Sequence, residues 1–294
     1  MAAPIVREYL ISPKVTDPAI RVFTQDHFVS VREDAVVKNK LFVYLPGSFR
    51  VPSESKGILR KATELGYHVI GLEYPNSDPV NPICKGTNDI SCHLRARLQV
   101  IEGIHGHPDF HISKSNCILN RLKKLLIYLN KTYPSQNWGQ FLVKGNIDWT
   151  KVVIAGHSQG GALAGVIGKF YPVQKVIMFS MIDYLNSGRI PNWETLPAND
   201  SKYLALINVK DELVPYARVP ETWEHLGMTF YGGIINVDNS LPPYSSSHTL
   251  ITSITPAVNL IDKYHNSTAV DEYIPKDASG HYALDKAWGY LLTK

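Results

Sequence analysis

The sequence predicts an α/β fold: a mostly parallel sheet covered by helices on both faces. Three observations point there. Strand-like and helix-like segments alternate along most of the 294 residues. The strand-like segments read as continuous apolar runs, as strands buried on both faces do. No repeat, low-complexity stretch or long linker divides the chain, so the expectation is a single domain over residues 1–294.

The elements follow in order. "VREYLIS" and "FVSVRED" suggest an antiparallel edge. "LFVYLPG" (41–47) is a buried strand ending in a turn, and "SESKGILRKATELG" (53–66) is a helix with a Ser start and a Gly stop. "YHVIGLEYP" (67–75) is the next strand. In "SNCILNRLKKLLIYLNKTYP" (115–134), Ile118, Leu122, Leu125, Leu126 and Leu129 share one helical face. Then come strand 151–156, helix 159–171, strands 175–181 and 202–209, helix 219–227 and strand 232–238. Segments 76–113 and 182–200 are rich in Pro, Asn, Asp and Gly. They fit the sheet poorly and read as cap-like excursions over its open end.

Composition excludes several classes. Hydrophobic residues make up 44% and charged residues 19%, with a net charge of +4 and a pI near 8.8. No Lys/Arg stripe suggests nucleic acid. No window approaches the roughly 18 apolar residues of a membrane helix, and "MAAPIVREYLISPKV" has no signal-peptide core. Cys84 and Cys92 bracket a short loop that suits a disulfide, leaving Cys117 odd. With sequons at Asn130, Asn199 and Asn266, this leans toward a secreted protein whose signal is absent from this sequence.

The stretch with most chemistry is "VVIAGHSQGGALAGV" (152–166). Gly156-His157-Ser158-Gln159-Gly160 matches G-x-S-x-G between a strand and a helix, the context in which that motif presents a nucleophilic serine. The bland alternative is a tight turn with an incidental serine. A serine needs a base, and the base an orienting acid. Asp211, just after strand 202–209, is the expected acid, with Glu212 and Asp183 as rivals. His248, ten residues past Asp238, is the expected base, with His265 and His281 as alternatives. The oxyanion donors are expected to be the amides of Gln159 and Ser48, with Phe49 behind Ser48. Phe49, Tyr184 and Trp193 are expected to line the substrate pocket, and the other tryptophans to lie in the core or at an interface. "HGHPDFH" offers His105, His107 and His111, but Gly106 and Pro108 argue for a loop. No metal or cofactor is expected.

Over residues 35 to 260 the chain resembles the α/β-hydrolases, through "YLPGS", "AGHSQGG", "NVKDELVP" and "SSSHTLIT". It is also similar to a group of little-characterised, often secreted bacterial hydrolase-like proteins. The resemblance implies an eight-stranded sheet and acyl chemistry at a Ser-Asp-His triad. One departure is Pro-Gly in the early turn, where many members have His-Gly. The expected function is hydrolysis of a small-molecule carboxylic ester, without nucleic-acid or integral membrane partners. The alternatives are acyl transfer, a lyase step or cyclisation by the same triad, and a non-catalytic binding protein on the same fold.

Overall fold

The computed structural model describes residues 5–34, 38–104, 106–196 and 200–294. In chain order the strands are β1 (Val6–Ile11), β2 (His27–Arg32), β3 (Leu41–Leu45), β4 (His68–Gly71), β5 (Leu142–Val143), β6 (Asn146–Ile147), β7 (Val152–His157), β8 (Lys175–Phe179), β9 (Tyr203–Asn208), β10 (Ile235–Asn236) and β11 (Thr249–Thr252). The helices are α1 (Pro13–Thr16), α2 (Lys56–Glu64), α3 (Val80–Cys84), α4 (Cys92–Glu102), α5 (Ile118–Thr132), α6 (Gln159–Phe170), α7 (Val219–His225), α8 (Lys263–Asn266) and α9 (Asp285–Thr293). β5 and β6 form a separate small hairpin.

The main sheet runs β1-β2-β4-β3-β7-β8-β9-β11-β10. β1 and β2 are antiparallel, as expected, and every pairing from β4 to β10 is parallel. The sheet has nine strands rather than eight. The strand missed in the sequence is β11, inside "SHTLIT".

Alternation along the central strands divides the core into two faces. Leu41, Val43, Leu45, Val152 and Ile154 belong to one apolar cluster, with α5 and α6. Phe42, Tyr44, Val153 and Ala155 belong to the other, with α2 and α9. The apolar face anticipated on α5 is buried: Ile118, Leu122, Leu125, Leu126 and Leu129.

Parallel strands bring their C-terminal ends to one edge, and the two excursions lie there. A disulfide joins Cys84, the last residue of α3, to Cys92, the first of α4. The excursions also bond to each other. Asn186 and Asn192 donate their amides to the carbonyls of Lys85 and Ile90, and Arg189 Nη1 donates to the Asn88 carbonyl. Of the sequons, Asn130 is exposed, while Asn266 is buried with Nδ2 donating to the Asp262 carbonyl. Asn199 lies outside the described residues. Among the described residues, no helix is long and apolar enough to cross a membrane.

A buried polar knot closes the start of this edge. Arg121 donates to the carbonyls of Val22, Phe23, Glu73 and Asn116, tying α5 to two loops. His27 Nδ1 accepts the Glu73 amide. Burial pushes the Glu73 carboxyl up to about 8, against the pull of Arg121. The folded protein therefore holds this proton while the unfolded chain, with a pKa near 4.5, releases it. Stability contributed by Glu73 is full below about 4.5 and is lost as pH rises toward 8. Glu73→Gln removes that loss, so its melting temperature relative to wild type should be higher at pH 8 than at pH 5. The scale is about 2–4 °C per kcal/mol. Equal differences at both pH values would contradict the assignment.

Candidate active site

The site starts from a steric demand. β7 ends at His157 and α6 begins at Gln159, leaving one residue to reverse the chain. Ser158 takes φ 53° and ψ −120°, in the left-handed half of backbone space where side chains crowd the chain. Its amide donates to the Phe179 carbonyl on β8, and its carbonyl accepts the Ala162 amide. A Cβ at Gly156 would overlap the Gly160 backbone, and one at Gly160 would overlap the Leu45 carbonyl oxygen. The motif's two glycines are thus demanded by contact. Across the turn, a Cβ on Gly47 would come 2.8 Å from His157 Nδ1 and 3.3 Å from Ser158 Cβ. The early turn therefore packs directly on the serine.

That early turn is itself pinned. Asn76 Nδ2 donates to the carbonyls of Gly47 (3.0 Å) and Arg50 (2.8 Å), and Tyr74 donates to the Pro46 carbonyl (2.6 Å). The Phe49 amide donates to the Asn76 carbonyl, so that amide is committed elsewhere. Ser48 Oγ donates to Gln159 Oε1 (3.3 Å), which also accepts the Val80 amide (3.0 Å). Gln159 opens α6, so its own amide has no partner within the helix. These contacts join the two expected oxyanion residues, Ser48 and Gln159, side by side.

Asp211 follows β9. Its Oδ1 accepts the amides of Leu213 and Val214, both at 2.9 Å, which fixes the carboxylate. The imidazole it meets belongs to His265, whose Nδ1 lies 2.9 Å from both carboxylate oxygens. Glu212, the rival acid, instead accepts the amides of Tyr264 and His265 and anchors the segment that carries the histidine. His157 donates from Nε2 to the His265 carbonyl (2.9 Å), and the two rings lie 4.8 Å apart. Burial, then the charge His265 can carry, holds His157 well below the ordinary histidine range. It stays neutral beside its neighbour.

His248 is placed elsewhere, and the expected Asp211–His248 pair does not form. His248 precedes β11 rather than following a last strand. Its Nδ1 donates to the carbonyl of Tyr203, the first residue of β9 (2.8 Å), and its ring stacks on Tyr231 at 4.4 Å. Asp211 lies beyond the other end of β9. Asn208 is five residue steps along the strand from Tyr203, roughly 17 Å at 3.3 Å per step. His265 comes after β11, on the edge where Asp211 and Ser158 stand. His281, the third alternative, is exposed and faces Asp277.

A cavity of about 400 Å³ opens at this edge. Its wall includes Ser48, Phe49, Ser158, Gln159, Tyr184 and His265. Phe49 and Tyr184 thus stand where pocket residues were expected, with Phe49 71% exposed. Trp193 does not line the cavity. It is fully buried, with Nε1 donating to Asp183 Oδ2 (2.9 Å). Asp183 is not a partner of either histidine above: it forms a buried ion pair with Arg97, a residue the sequence reading did not single out.

Of the histidines in "HGHPDFH", His105 lies outside the described residues and His111 is exposed. His107 Nε2 sits 3.3 Å from Cys92 Sγ. Cys84, Cys92 and His107 bring their ligand atoms within 4.8 Å of one another, but the two sulfurs are bonded as a disulfide.

No family model matches the chain, and no curated protein matches it.

Gly160→Ala tests the steric account of the turn. Its Cβ would meet backbone that cannot step aside, so the expected cost is about 1–3 kcal/mol or more. A urea midpoint equal to wild type would contradict it.

Proposed function

We propose that the protein is a serine hydrolase of α/β-hydrolase type that cleaves a carboxylic ester. The observation carrying this reading is that Asp211 grips His265 Nδ1 on the cavity that also holds the strained Ser158. A buried carboxylate on Nδ1 selects the tautomer with a lone pair on Nε2 and stabilises the imidazolium once formed. His265 then takes the Ser158 Oγ proton as the oxygen attacks the ester carbonyl. The C–O bond to the alcohol breaks as His265 returns that proton to the leaving oxygen. Water then repeats the sequence on the acyl-serine and releases the acid.

The negative oxygen formed at each attack needs donors. The amides of Gln159 and Ser48 serve, with the N-terminus of α6 adding its partial positive charge. The Ser48–Gln159–Val80 bonds hold them before substrate arrives. Glu212 and His157 act on the backbone of His265 from two sides, so each is a positioning residue.

Hydrolysis of a p-nitrophenyl ester tests the assignment. Ser158→Ala, His265→Ala and Asp211→Asn should each lower kcat/KM by roughly 10⁴-fold. His248→Gln, at the far end of the sheet, should stay within about threefold of wild type. Loss in His248→Gln with retention in His265→Ala would reverse the choice of base. Retention in Ser158→Ala would remove the reading altogether.

A further inference from the structure

The mouth of the cavity carries apolar side chains that the acyl chemistry does not use. Phe49 and Leu213 both line the cavity, yet Phe49 is 71% and Leu213 48% exposed, so both stand where it meets solvent. Deeper in the wall, Val80, Met181, Ile182 and Val214 are buried. Leu213 and Val214 are consecutive, so on that side the apolar wall continues from the interior to the rim.

A lone exposed apolar side chain needs no explanation. Two features set this pair apart. Phe49 takes φ 62°, a backbone region that side chains rarely adopt and that glycine takes without strain. A turn needing only that shape would be served by glycine or asparagine. The ring at Phe49 adds strain and stays in solvent, so folding alone does not account for it.

Neither residue sits on loose chain. The Phe49 amide donates to the Asn76 carbonyl, and Asn76 Nδ2 donates to the carbonyls of Gly47 and Arg50. The Leu213 amide donates to Asp211 Oδ1, on the carboxylate that meets His265 Nδ1. The bonds that set the Ser48 turn and the acid therefore also hold these two residues at the mouth.

The charges on the wall do not favour a charged occupant. Arg50 meets Glu54 and Arg97 meets Asp183, while Lys85 and Asp262 carry opposite charges. An apolar chain lying over the rim gains on both sides of the contact. Each methylene it buries there is worth up to about fourfold in affinity.

We propose that Phe49 and Leu213 form a tail-binding subsite, and that the substrate is an ester with a long, uncharged alkyl chain that leaves the cavity over them. That this chain belongs to an ester that is cut rests on the hydrolase reading, while its binding at the mouth does not.

Two ester series, kept below their aggregation concentrations, test this. p-Nitrophenyl alkanoates lengthen the acyl chain, and alkyl acetates lengthen the alcohol. In one of the two, kcat/KM should rise at least about tenfold from four carbons to ten, the return of roughly two buried methylenes. Affinity for Ser158→Ala protein, which would hold esters uncut, should rise likewise. With Phe49→Asn and Leu213→Ser together, the ten-to-four-carbon ratio should fall below about threefold in both measurements. Asparagine accepts the left-handed backbone, so this change keeps the turn. Should the double variant fail to fold, each single variant should lower the ratio at least twofold. Phe49→Leu, which stays apolar, should keep most of it. A flat ratio in both series overturns the inference, as does a preference that survives the polar variants or appears only above the aggregation concentration. Tighter binding of the mono-p-nitrophenyl ester of decanedioic acid than of the decanoate also overturns it. If wild type cuts none of the esters, the hydrolase reading fails while the affinity ratio still decides the subsite.

Discussion

The backbone at Ser158 is the constraint on which the rest of the site depends. A non-glycine residue at this φ costs on the order of 1–3 kcal/mol and persists only where its surroundings leave no alternative. Here they do not. β7 is hydrogen-bonded between β3 and β8, so His157 cannot move, and the Phe179 carbonyl holds the Ser158 amide. α6 begins at once because Gly160 lets its first turn lie against the Leu45 and Pro46 carbonyls. The early turn closes on the same point, with Gly47 against His157 and Asn76 holding the turn from behind. One strained residue therefore fixes the helix end, the Ser48 turn and the direction of the serine together.

Strand direction supplies the remainder. In a parallel sheet, whatever follows a strand's end stands at the same edge, and Ser158, Asp183, Asp211 and His265 all follow parallel strands. That edge is where ligands bind in open α/β sheets. Asp211 is the hinge of the arrangement: two backbone amides orient its carboxylate before it meets His265, and Glu212 fixes the neighbouring turn. His157 stays neutral under burial, so a charge appearing on His265 would have no charged imidazole beside it.

Much of this arrangement is legible in the sequence, and what is not has physical causes. The strand–glycine–serine–glycine–helix pattern is local, so the elbow and the β9 acid could be read from neighbouring residues alone. Finding the histidine that meets Asp211 requires a correct strand count. Reading 232–238 as the last strand put His248 after it, but β10 is only two residues long and "TLIT" makes the strand beside β9. The β-branched residues of "TLIT", Thr249, Ile251 and Thr252 around Leu250, were the available signal. The Cys84–Cys92 bond was legible from spacing, and so was the placing of both excursions outside the sheet. The Arg97–Asp183 pair was not, because 86 residues separate its members and no local rule couples them.

The central claim is that Ser158 is made reactive by His265 and not by His248. Mass spectrometry of the protein after treatment with a fluorophosphonate tests it most directly. The account predicts one adduct, mapped to Ser158, formed far more slowly in His265→Gln and at near wild-type rate in His248→Gln. No adduct on the folded protein, or an adduct at Ser158 that forms equally fast without His265, would contradict it.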